Sequence, residues 1–393
     1  MTGQAIATAR FQPLAVAIAG GVAFGYAAFL VQMFLAHHWI ADAAGHPLAA
    51  DFLSFWSAGF LASSGKAVMA YDWATMHRLQ AAMMGHDVGG YLGWAYPPLF
   101  FCVAMLLAAM AYAPAFLLWV GATLLLYALA IVRITRERGA LLFACAAPAA
   151  LACAMAGQNG FASAALIAIV LLELETRPLL AGLILGLLTY KPHLGLLFPA
   201  ALICGGHGRA VLAAAVSVAA ILLLSWLLAP DSLAAFFAHL GGMSDNFLSK
   251  GSAGFFKQQS LYGLMRTLGL GDHLAFGAQA ALSGAMLIFV ARLWRGEYSA
   301  ALKAAGLTVA TLLATPYLYY YDFPILSVAI AFLWRDRAFQ RDESLLIIGS
   351  QLAMASFMVL NAPMGFLASL LVLAVVGRRM LPGLKTAPQY RPV

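Results

Sequence analysis

Apolar runs long enough to cross a membrane recur along almost the whole of this chain. The first covers residues 12–35, and the last ends near residue 377. An α-helix rises 1.5 Å per residue, so about 20 apolar residues cross the roughly 30 Å of hydrocarbon in a bilayer. Of the 393 residues, 64% are hydrophobic and 9% are charged, and no polar stretch is long enough for a soluble domain. We therefore predict a polytopic, all-α membrane protein with a single domain over residues 1–393.

The number of crossings depends on how the longest runs are divided. Apolar runs cover residues 12–35, 97–132, 140–175, 178–205, 209–229, 274–294, 299–315, 323–334, 344–360 and 364–377. Glycine, proline and polar residues interrupt three of these runs, at "AYAP", "AGQNG" and "YKPH". Dividing them predicts 11 to 13 crossings.

The basic residues assign a side of the membrane to each connection. The positive-inside rule puts the turns near residues 177, 207–209, 292–297, 334–343 and 377–379 in the cytoplasm. The basic residues of these short turns also account for the net charge of +7. They form no basic patch interleaved with aromatic residues, so the charge does not indicate nucleic-acid binding. Residues 37–95 and 230–273 then face outward. Residues 133–139 are also basic, and a cytoplasmic position for them requires an odd number of crossings after residue 96, which the sequence leaves open.

The first outer segment contains a candidate catalytic carboxylate, Asp51. The residues that follow it form an apolar stripe at helical spacing, which predicts an amphipathic helix along the membrane surface: Phe52, Phe55, Trp56, Phe60 and Leu61. Asp51 is placed to cap this helix, a contact worth about 1 kcal/mol. A general base is the other interpretation, because apolar surroundings raise the pKa of a carboxyl and improve the carboxylate as a proton acceptor. Asp72 closes the segment, and we group it and Trp56 with the candidate acceptor-binding residues.

Two further clusters carry polar groups that suit a sugar. Gln158 and Asn159 lie in "GQNG", where they would hydrogen-bond a sugar or satisfy a tight turn. In "TPYLYYYDFP", residues 315–324, the tyrosines fit an interfacial aromatic belt. Tyr320, Tyr321 and Asp322 would equally form a sugar-binding wall, and a belt alone does not call for an aspartate.

Cations beside two breaks in the apolar pattern are candidates for binding a phosphate. Lys191 and His193 lie in "TYKPHLG", where Pro192 interrupts a helix. They would bind phosphate or extend to the membrane interface. Lys257 and Arg266 lie among aromatic residues in the second outer segment, which is either a cationic cover over a lipid phosphate or an ordinary surface loop.

The sequence contains no motif of a metal or nucleotide site. The histidines are scattered without an HExxH pattern, and neither a P-loop nor a dinucleotide-binding fingerprint occurs. We therefore expect no metal and no cofactor. A reaction that needs energy would then take it from a substrate that is already activated and carried by a lipid.

In their order along the chain, these motifs resemble the membrane glycosyltransferases of the GT-C superfamily, and in particular glycosyltransferase family 87. That family includes polyprenyl-phosphate-mannose-dependent α-mannosyltransferases. The resemblance runs from about Asp51 to Pro324 and rests on "DFLSFWSAG", "WAYPPLFF", "GQNGFASAAL", "RPLLAGLILGLLTYKPHLGLLFP", "SLYGLMRTLG" and "ATPYLYYYDFPIL". The six motifs occur in this order along the chain.

This resemblance implies a GT-C-like helical bundle and an inverting sugar transfer. Asp51 matches the aspartate that takes the proton from the acceptor hydroxyl, and polyprenyl phosphate is the leaving group. Lys191 and His193 match the family's "KP" turn. Some relatives carry a histidine in the late motif where this chain has tyrosines and Asp322, so the role of that motif and the choice of sugar stay open.

The resemblance also implies the partners and the location. We expect a polyprenyl-phosphate sugar donor, a lipid or glycan acceptor, and a bacterial inner (plasma) membrane with the site facing the periplasm or exterior. Two other classes of protein stay open. A transporter or flippase predicts paired charges within the membrane and broken helices in symmetric halves. An O-antigen-type polymerase or ligase predicts a large, arginine-rich outer loop, whereas residues 230–273 hold one arginine.

Overall fold

The computed structural model describes residues 11–87, 92–244 and 248–381, and the regular structure in these ranges is helical. This confirms the all-α prediction. The α-helices are α1 (Pro13–Leu35), α2 (Phe52–Ser63), α3 (Trp73–Met84), α4 (Phe101–Ala108), α5 (Tyr112–Thr135), α6 (Ala140–Ala146), α7 (Pro148–Ala156), α8 (Gly160–Glu173), α9 (Pro178–Leu187), α10 (Phe198–Cys204), α11 (Gly208–Leu228), α12 (Pro230–Ser244), α13 (Leu261–Thr267), α14 (Asp272–Arg295), α15 (Ala300–Ala314), α16 (Pro324–Asp336), α17 (Arg341–Leu360) and α18 (Met364–Met380).

Four of the described helices are long and apolar enough to cross a membrane by themselves. They are α1, α5, α11 and α14. Several shorter apolar helices accompany them, and α9 and α10 are separated by two 3₁₀ turns around Pro192, at the break predicted within residues 178–205. A polytopic membrane protein agrees with these lengths. The number of 11 to 13 crossings stays a prediction.

One end of the bundle is closed by buried ion pairs, and we call it the basic end. Arg379 is 4% exposed and donates to both carboxylate oxygens of Glu343, at 2.9 and 2.8 Å, and to Asp336 at 3.2 Å. Arg133, at the end of α5, pairs with Glu173 at the end of α8. The Arg379 contacts join the ends of α16 and α18 to the start of α17. A buried charge is tolerated only where it is paired in this way.

The opposite end, which we call the site end, holds Asp51, Lys191 and Asp322. Asp51 precedes α2, Lys191 lies between α9 and α10, and Asp322 precedes α16. Within the described residues, the chain runs between the two ends through α1, α5, α6 with α7, α8, α9 with the 3₁₀ turn after it, α10 with the 3₁₀ turn before it, α11, α14, α15, α16, α17 and α18. Short helices before α5 and after α11 gather at the site end.

The apolar run at residues 97–132 is divided unequally between α4 and α5. The short α4 packs along α2, where a Cβ at Gly59 would overlap the carbonyl oxygen of Ala104. Helix α5 has 24 residues and is the only described helix between residues 96 and 133 that is long enough to cross a membrane alone. If α5 alone crosses the membrane in this region, the number of crossings between residues 96 and 133 is odd, as a cytoplasmic position of residues 133–139 requires.

Helix α2 forms where it was predicted, but its predicted single apolar stripe is wrong. Most of its residues are buried, including Ser54 and Ser57, whereas Phe60 of the predicted stripe is 46% exposed. Burial leaves neither serine hydroxyl without a hydrogen bond, because Ser54 donates to the carbonyl of Gly93 at 2.8 Å and Ser57 to that of Leu53 at 2.6 Å. The chain at Gly93 and the side chain of Gln80 on α3 therefore cover the face that a surface helix would leave polar.

Candidate active site

Asp51 does not cap α2, so the interpretation of this residue as a helix cap is wrong. Its backbone is already helical, with φ −58° and ψ −26°, and its side chain makes no capping hydrogen bond. An N-cap normally needs an extended backbone to turn its side chain back toward the first free N–H groups. Here the backbone carbonyl of Asp51 accepts the bond from Ser54 N, at 3.1 Å. The carboxylate is therefore available for other partners.

The surroundings of Asp51 make its carboxyl unusually basic. Desolvation in this half-buried position raises its pKa to about 6, and the negative charge of Asp322 acts in the same direction. A hydrogen bond from the Gln158 side chain and the charges of Lys191 and Lys257 oppose this rise. Five tyrosine side chains lie close enough to Asp51 to interact electrostatically with its charge: Tyr96, Tyr112, Tyr317, Tyr319 and Tyr321. A carboxyl with this pKa is ionised at pH 7 and can still accept a proton readily.

The "GQNG" turn joins the start of α2 to the late motif through its two glycines. Gly157 has φ +63°, and a Cβ there would lie 2.7 Å from the Cβ of Phe52. A Cβ at Gly160 would overlap the carbonyl oxygen of Tyr321, a backbone atom that cannot rotate away. Both positions therefore require glycine. The turn fixes the spacing between Asp51 and residues 321–322.

The two amides of this turn differ in their contacts. Gln158 accepts hydrogen bonds from the Tyr96 hydroxyl, at 3.1 Å, and from Asn159 N, at 2.9 Å, which leaves its amide nitrogen for Asp51. Asn159 is fully buried, and neither polar atom of its side chain has a partner among the described residues. Tyr96 was missed in the sequence analysis, although it lies within the quoted "WAYPPLFF".

Lys191 and Asp322 form a buried ion pair that the sequence did not predict. Lys191 Nζ lies 2.6 Å from Asp322 Oδ1, and the two residues are 6% and 2% exposed. The second carboxylate oxygen of Asp322 accepts from Tyr319 N at 3.1 Å, and the lysine also lies 5.2 Å from the centre of the Tyr321 ring. Beside them, His193 packs edge-on against Tyr317, and its Nε2 has no hydrogen-bond partner among the described residues.

The tyrosines of the late motif face two directions. Tyr319 and Tyr321 stack at 5.5 Å on the side of Lys191 and Asp51. Tyr320 points the other way, where its hydroxyl donates to the carbonyl of Met354 and its ring stacks on Phe357 at 4.4 Å. The structure thus brings Tyr321 and Asp322 to the cluster and places Tyr320 in the packing against α17.

The two cations of the second outer segment also separate. Lys257 is exposed and lies close enough to Asp51 to act on its charge. Arg266 instead donates to the carbonyls of Ser249 and Leu270, at 3.0 and 3.1 Å, and lies over the ring of Phe255. Arg266 therefore braces its own segment, and Lys257 joins the cluster.

Two candidates from the first outer segment serve its folding. Trp56 donates its indole N–H to the carbonyl of Met110 at 3.0 Å, which ties α2 to the start of α5. Asp72 caps α3 by accepting from Thr75 N at 2.8 Å, and its other charged neighbours are Arg78 and His239. The structure does not bring Asp72 to Asp51.

Within the described ranges, no group of three or more His, Cys, Asp or Glu side chains lies close enough together to hold a metal ion. The cluster at the site end consists of a basic carboxylate, a second carboxylate paired with a lysine, an exposed lysine and several tyrosine rings. Such a set can accept a proton, bind an anion and stack against a sugar.

The family comparison decides the class of protein. The model of glycosyltransferase family 87 matches residues 94–316, which is more than half of the chain. The chain belongs to glycosyltransferase family 87. The matched region of this family 87 chain contains Gln158, Lys191 and Lys257, whereas Asp51 and Asp322 lie outside it.

The resemblance stated from the sequence is thereby confirmed at the level of the family. Membership in family 87 makes the protein a membrane glycosyltransferase, with a lipid-linked sugar donor and a glycan or lipid acceptor in general. No curated protein and no solved structure matches the chain.

Proposed function

We propose that this protein is an inverting glycosyltransferase that moves a sugar, mannose in this proposal, from a polyprenyl-phosphate donor to an acceptor hydroxyl. The observation that carries the proposal is the Asp51 carboxyl, which makes no capping hydrogen bond, is half-buried and has a pKa raised to about 6. A general base works best when its pKa lies near the operating pH. The hydrogen bond from Gln158 holds the carboxylate in place.

In this mechanism Asp51 removes the proton from the acceptor hydroxyl. The acceptor oxygen attacks the anomeric carbon of the donor from the face opposite the phosphate and forms the new glycosidic bond. The bond between the anomeric carbon and the phosphate oxygen breaks, and polyprenyl phosphate leaves with the electron pair. The proton stays on Asp51 until solvent takes it, and the configuration at the anomeric carbon is inverted by the single displacement.

The leaving phosphate needs cations to stabilise the charge that develops on it. Lys257 fits this role because it makes no ion pair with a described residue and lies close to Asp51. Lys191 contributes differently, since its ammonium is already paired with Asp322. It would hold the donor phosphate only by sharing its protons between the phosphate and Asp322. His193, with a free ring nitrogen, is a hydrogen-bonding partner beside it.

The same proposal places the site end on the outer face of the bacterial plasma membrane. The helices that connect the two ends would give a number of crossings within the predicted 11 to 13 if each one crosses. The arginine-rich basic end then lies in the cytoplasm, as the positive-inside rule expects.

The test compares Asp51→Asn with native protein in proteoliposomes that contain a radiolabelled polyprenyl-phosphate sugar. Loss of a general base typically lowers the rate about 10²- to 10⁴-fold. Asp72→Asn is the matched control, because asparagine also caps helices and this exposed residue lies outside the cluster. Turnover retained in Asp51→Asn would sink the assignment of the base.

The second candidate function is a transporter or flippase for a lipid-linked substrate. The observation in its favour is the buried Lys191–Asp322 pair, which is the kind of paired charge such proteins carry. The same liposomes separate the two functions. Movement of donor across the bilayer without formation of a new glycosidic bond, in native protein and in Asp51→Asn alike, supports transport and contradicts transfer.

A further inference from the structure

Residues 255–260 of the second outer segment form a strap that runs along the late motif. Gln258 forms an isolated antiparallel β-bridge with Tyr319. Next to it, Gln259 N donates to Leu318 O at 2.7 Å, and the Ser260 hydroxyl donates to the carbonyl of Pro316 at 2.8 Å. The strap is thus hydrogen-bonded to the residues that lead directly into Asp322. Lys257 is the cation that the strap carries.

The side chain of Gln259 ties this strap to α18. It is 1% exposed, and its amide oxygen accepts from Gly365 N at 2.8 Å. Its amide nitrogen donates to the carbonyls of Phe256 and Lys257, at 2.9 and 3.2 Å. One buried amide therefore holds the backbone at Lys257 against a fixed point, since Gly365 in turn packs against the ring of Phe323.

The exposure of Lys257 makes this backbone anchor important. A lysine ammonium sits on a flexible four-carbon side chain, and an exposed side chain has little packing to hold it in place. The position of the backbone therefore decides where the ammonium can reach. Lys257 nevertheless lies close enough to Asp51 to act on it, and the only other contact described for its ammonium is the Phe256 ring, 5.9 Å away. Its place beside Asp51 thus depends on the strap.

We propose that Gln259 is a positioning residue that holds Lys257 beside Asp51, and that through Lys257 it sets how tightly the phosphate of a polyprenyl-phosphate ligand is bound. This inference rests on the proposed function, because it takes the phosphate group of the donor as the partner of Lys257. Gln259 itself does not touch the substrate. Its effect should therefore appear in phosphate binding and should disappear when Lys257 is absent.

The experiment measures the donor KM, kcat and the binding of polyprenyl phosphate itself for full-length protein in proteoliposomes. Gln259→Met and Lys257→Met are each expected to weaken polyprenyl-phosphate binding about tenfold, the size of one charge-assisted hydrogen bond to phosphate, and to lower kcat/KM at least as much, because the same cation stabilises the charge that develops on the leaving phosphate. The double variant is expected to match Lys257→Met alone, because coupled residues are not additive. Gln259→Glu, which keeps the acceptor for Gly365 and loses both donors, provides a second variant if Gln259→Met does not fold.

Gln80→Met is the matched control. Gln80 is also a buried glutamine that bonds backbone on both sides, since it donates to Leu92 O at 2.8 Å and accepts from Leu92 N at 2.9 Å. It lies in the first outer segment, outside the strap. We expect this variant to lose stability without a change in KM or in polyprenyl-phosphate binding.

The outcomes distinguish this inference from the proposed function. If native protein transfers sugar but Gln259→Met binds polyprenyl phosphate as Gln80→Met does, the positioning role is refuted and the function stands. Additive effects of Gln259→Met and Lys257→Met also refute it. If native protein binds polyprenyl phosphate but transfers no sugar, and both strap variants lose binding, the positioning role holds and the proposed function fails. Native protein that neither binds nor transfers contradicts both.

Discussion

Removing one partner of the buried Lys191–Asp322 pair is expected to destabilise the protein strongly. Lys191→Met leaves the Asp322 carboxylate 2% exposed with one remaining hydrogen bond, from Tyr319 N. An uncompensated buried charge of this kind typically costs about 3–5 kcal/mol. Asp322→Asn is expected to cost less than Lys191→Met, because an asparagine oxygen can still accept from the lysine.

Replacing both partners with apolar residues should recover most of this loss. A buried ion pair exchanged for hydrophobic residues of similar volume is often neutral in stability. Asp322 also accepts the backbone bond from Tyr319 N, a capping contact worth about 1 kcal/mol. The double variant Lys191→Met with Asp322→Leu is therefore expected to lie about 1 kcal/mol below native protein, well above Lys191→Met alone.

The assay is the free energy of unfolding of the purified protein in mixed micelles, followed by tryptophan fluorescence during a detergent titration. Lys66→Met is the control, because Lys66 is exposed and makes no ion pair with a described residue. Surface substitutions usually change stability by about 0.5 kcal/mol or less. The reasoning fails if Lys191→Met costs no more than Lys66→Met, or if the double variant Lys191→Met with Asp322→Leu is no more stable than Lys191→Met alone.

Four further outcomes are expected. The acid limb of kcat/KM should have its midpoint near pH 6, since Asp51 must be ionised to accept a proton, and the rate should fall as pH drops through that value. Asp322→Asn should move this midpoint to lower pH, because it removes a negative charge that raises the pKa of Asp51; an unmoved midpoint contradicts this electrostatic interaction. Gly160→Ala should abolish most turnover and destabilise by about 1–3 kcal/mol, measured by transfer and unfolding assays, whereas Gly121→Ala, with open space at its Cβ, should do neither. Tyr320→Phe should lose about 1 kcal/mol of stability in the same unfolding assay and keep normal turnover, because its hydroxyl bonds a carbonyl of α17; lost turnover would place it in the site instead.

The helical membrane fold could be predicted because its signal is local. Apolar runs of sufficient length specify α1, α5, α11 and α14, and the breaks at "AGQNG" and "YKPH" appear in the structure as turns between helices. The division of residues 97–132 was harder. A short helix such as α4 depends on its packing against α2, which the sequence does not display.

The membership of the cluster was largely predictable, but its pairings were not. Asp51, Gln158 and Lys191 were singled out and lie together. Lys191 and Asp322 are 131 residues apart in sequence, so nothing local couples them. The cap at Asp51 was wrong because its backbone angles follow from tertiary packing. Gln259 was overlooked, although two adjacent glutamines in an apolar segment are a visible signal.

The contact between Gly160 and the Tyr321 carbonyl has a consequence for the order in which this protein matures. Synthesis begins at the N-terminus, so Asp51 and the "GQNG" turn enter the membrane well before residues 315–322 are made. Until then Lys191 has no counter-charge and the glycine surface has nothing to pack against. A chain interrupted before the late motif therefore carries the candidate base without the rest of its site. In the proposed mechanism, competence to react arrives only with the last third of the polypeptide.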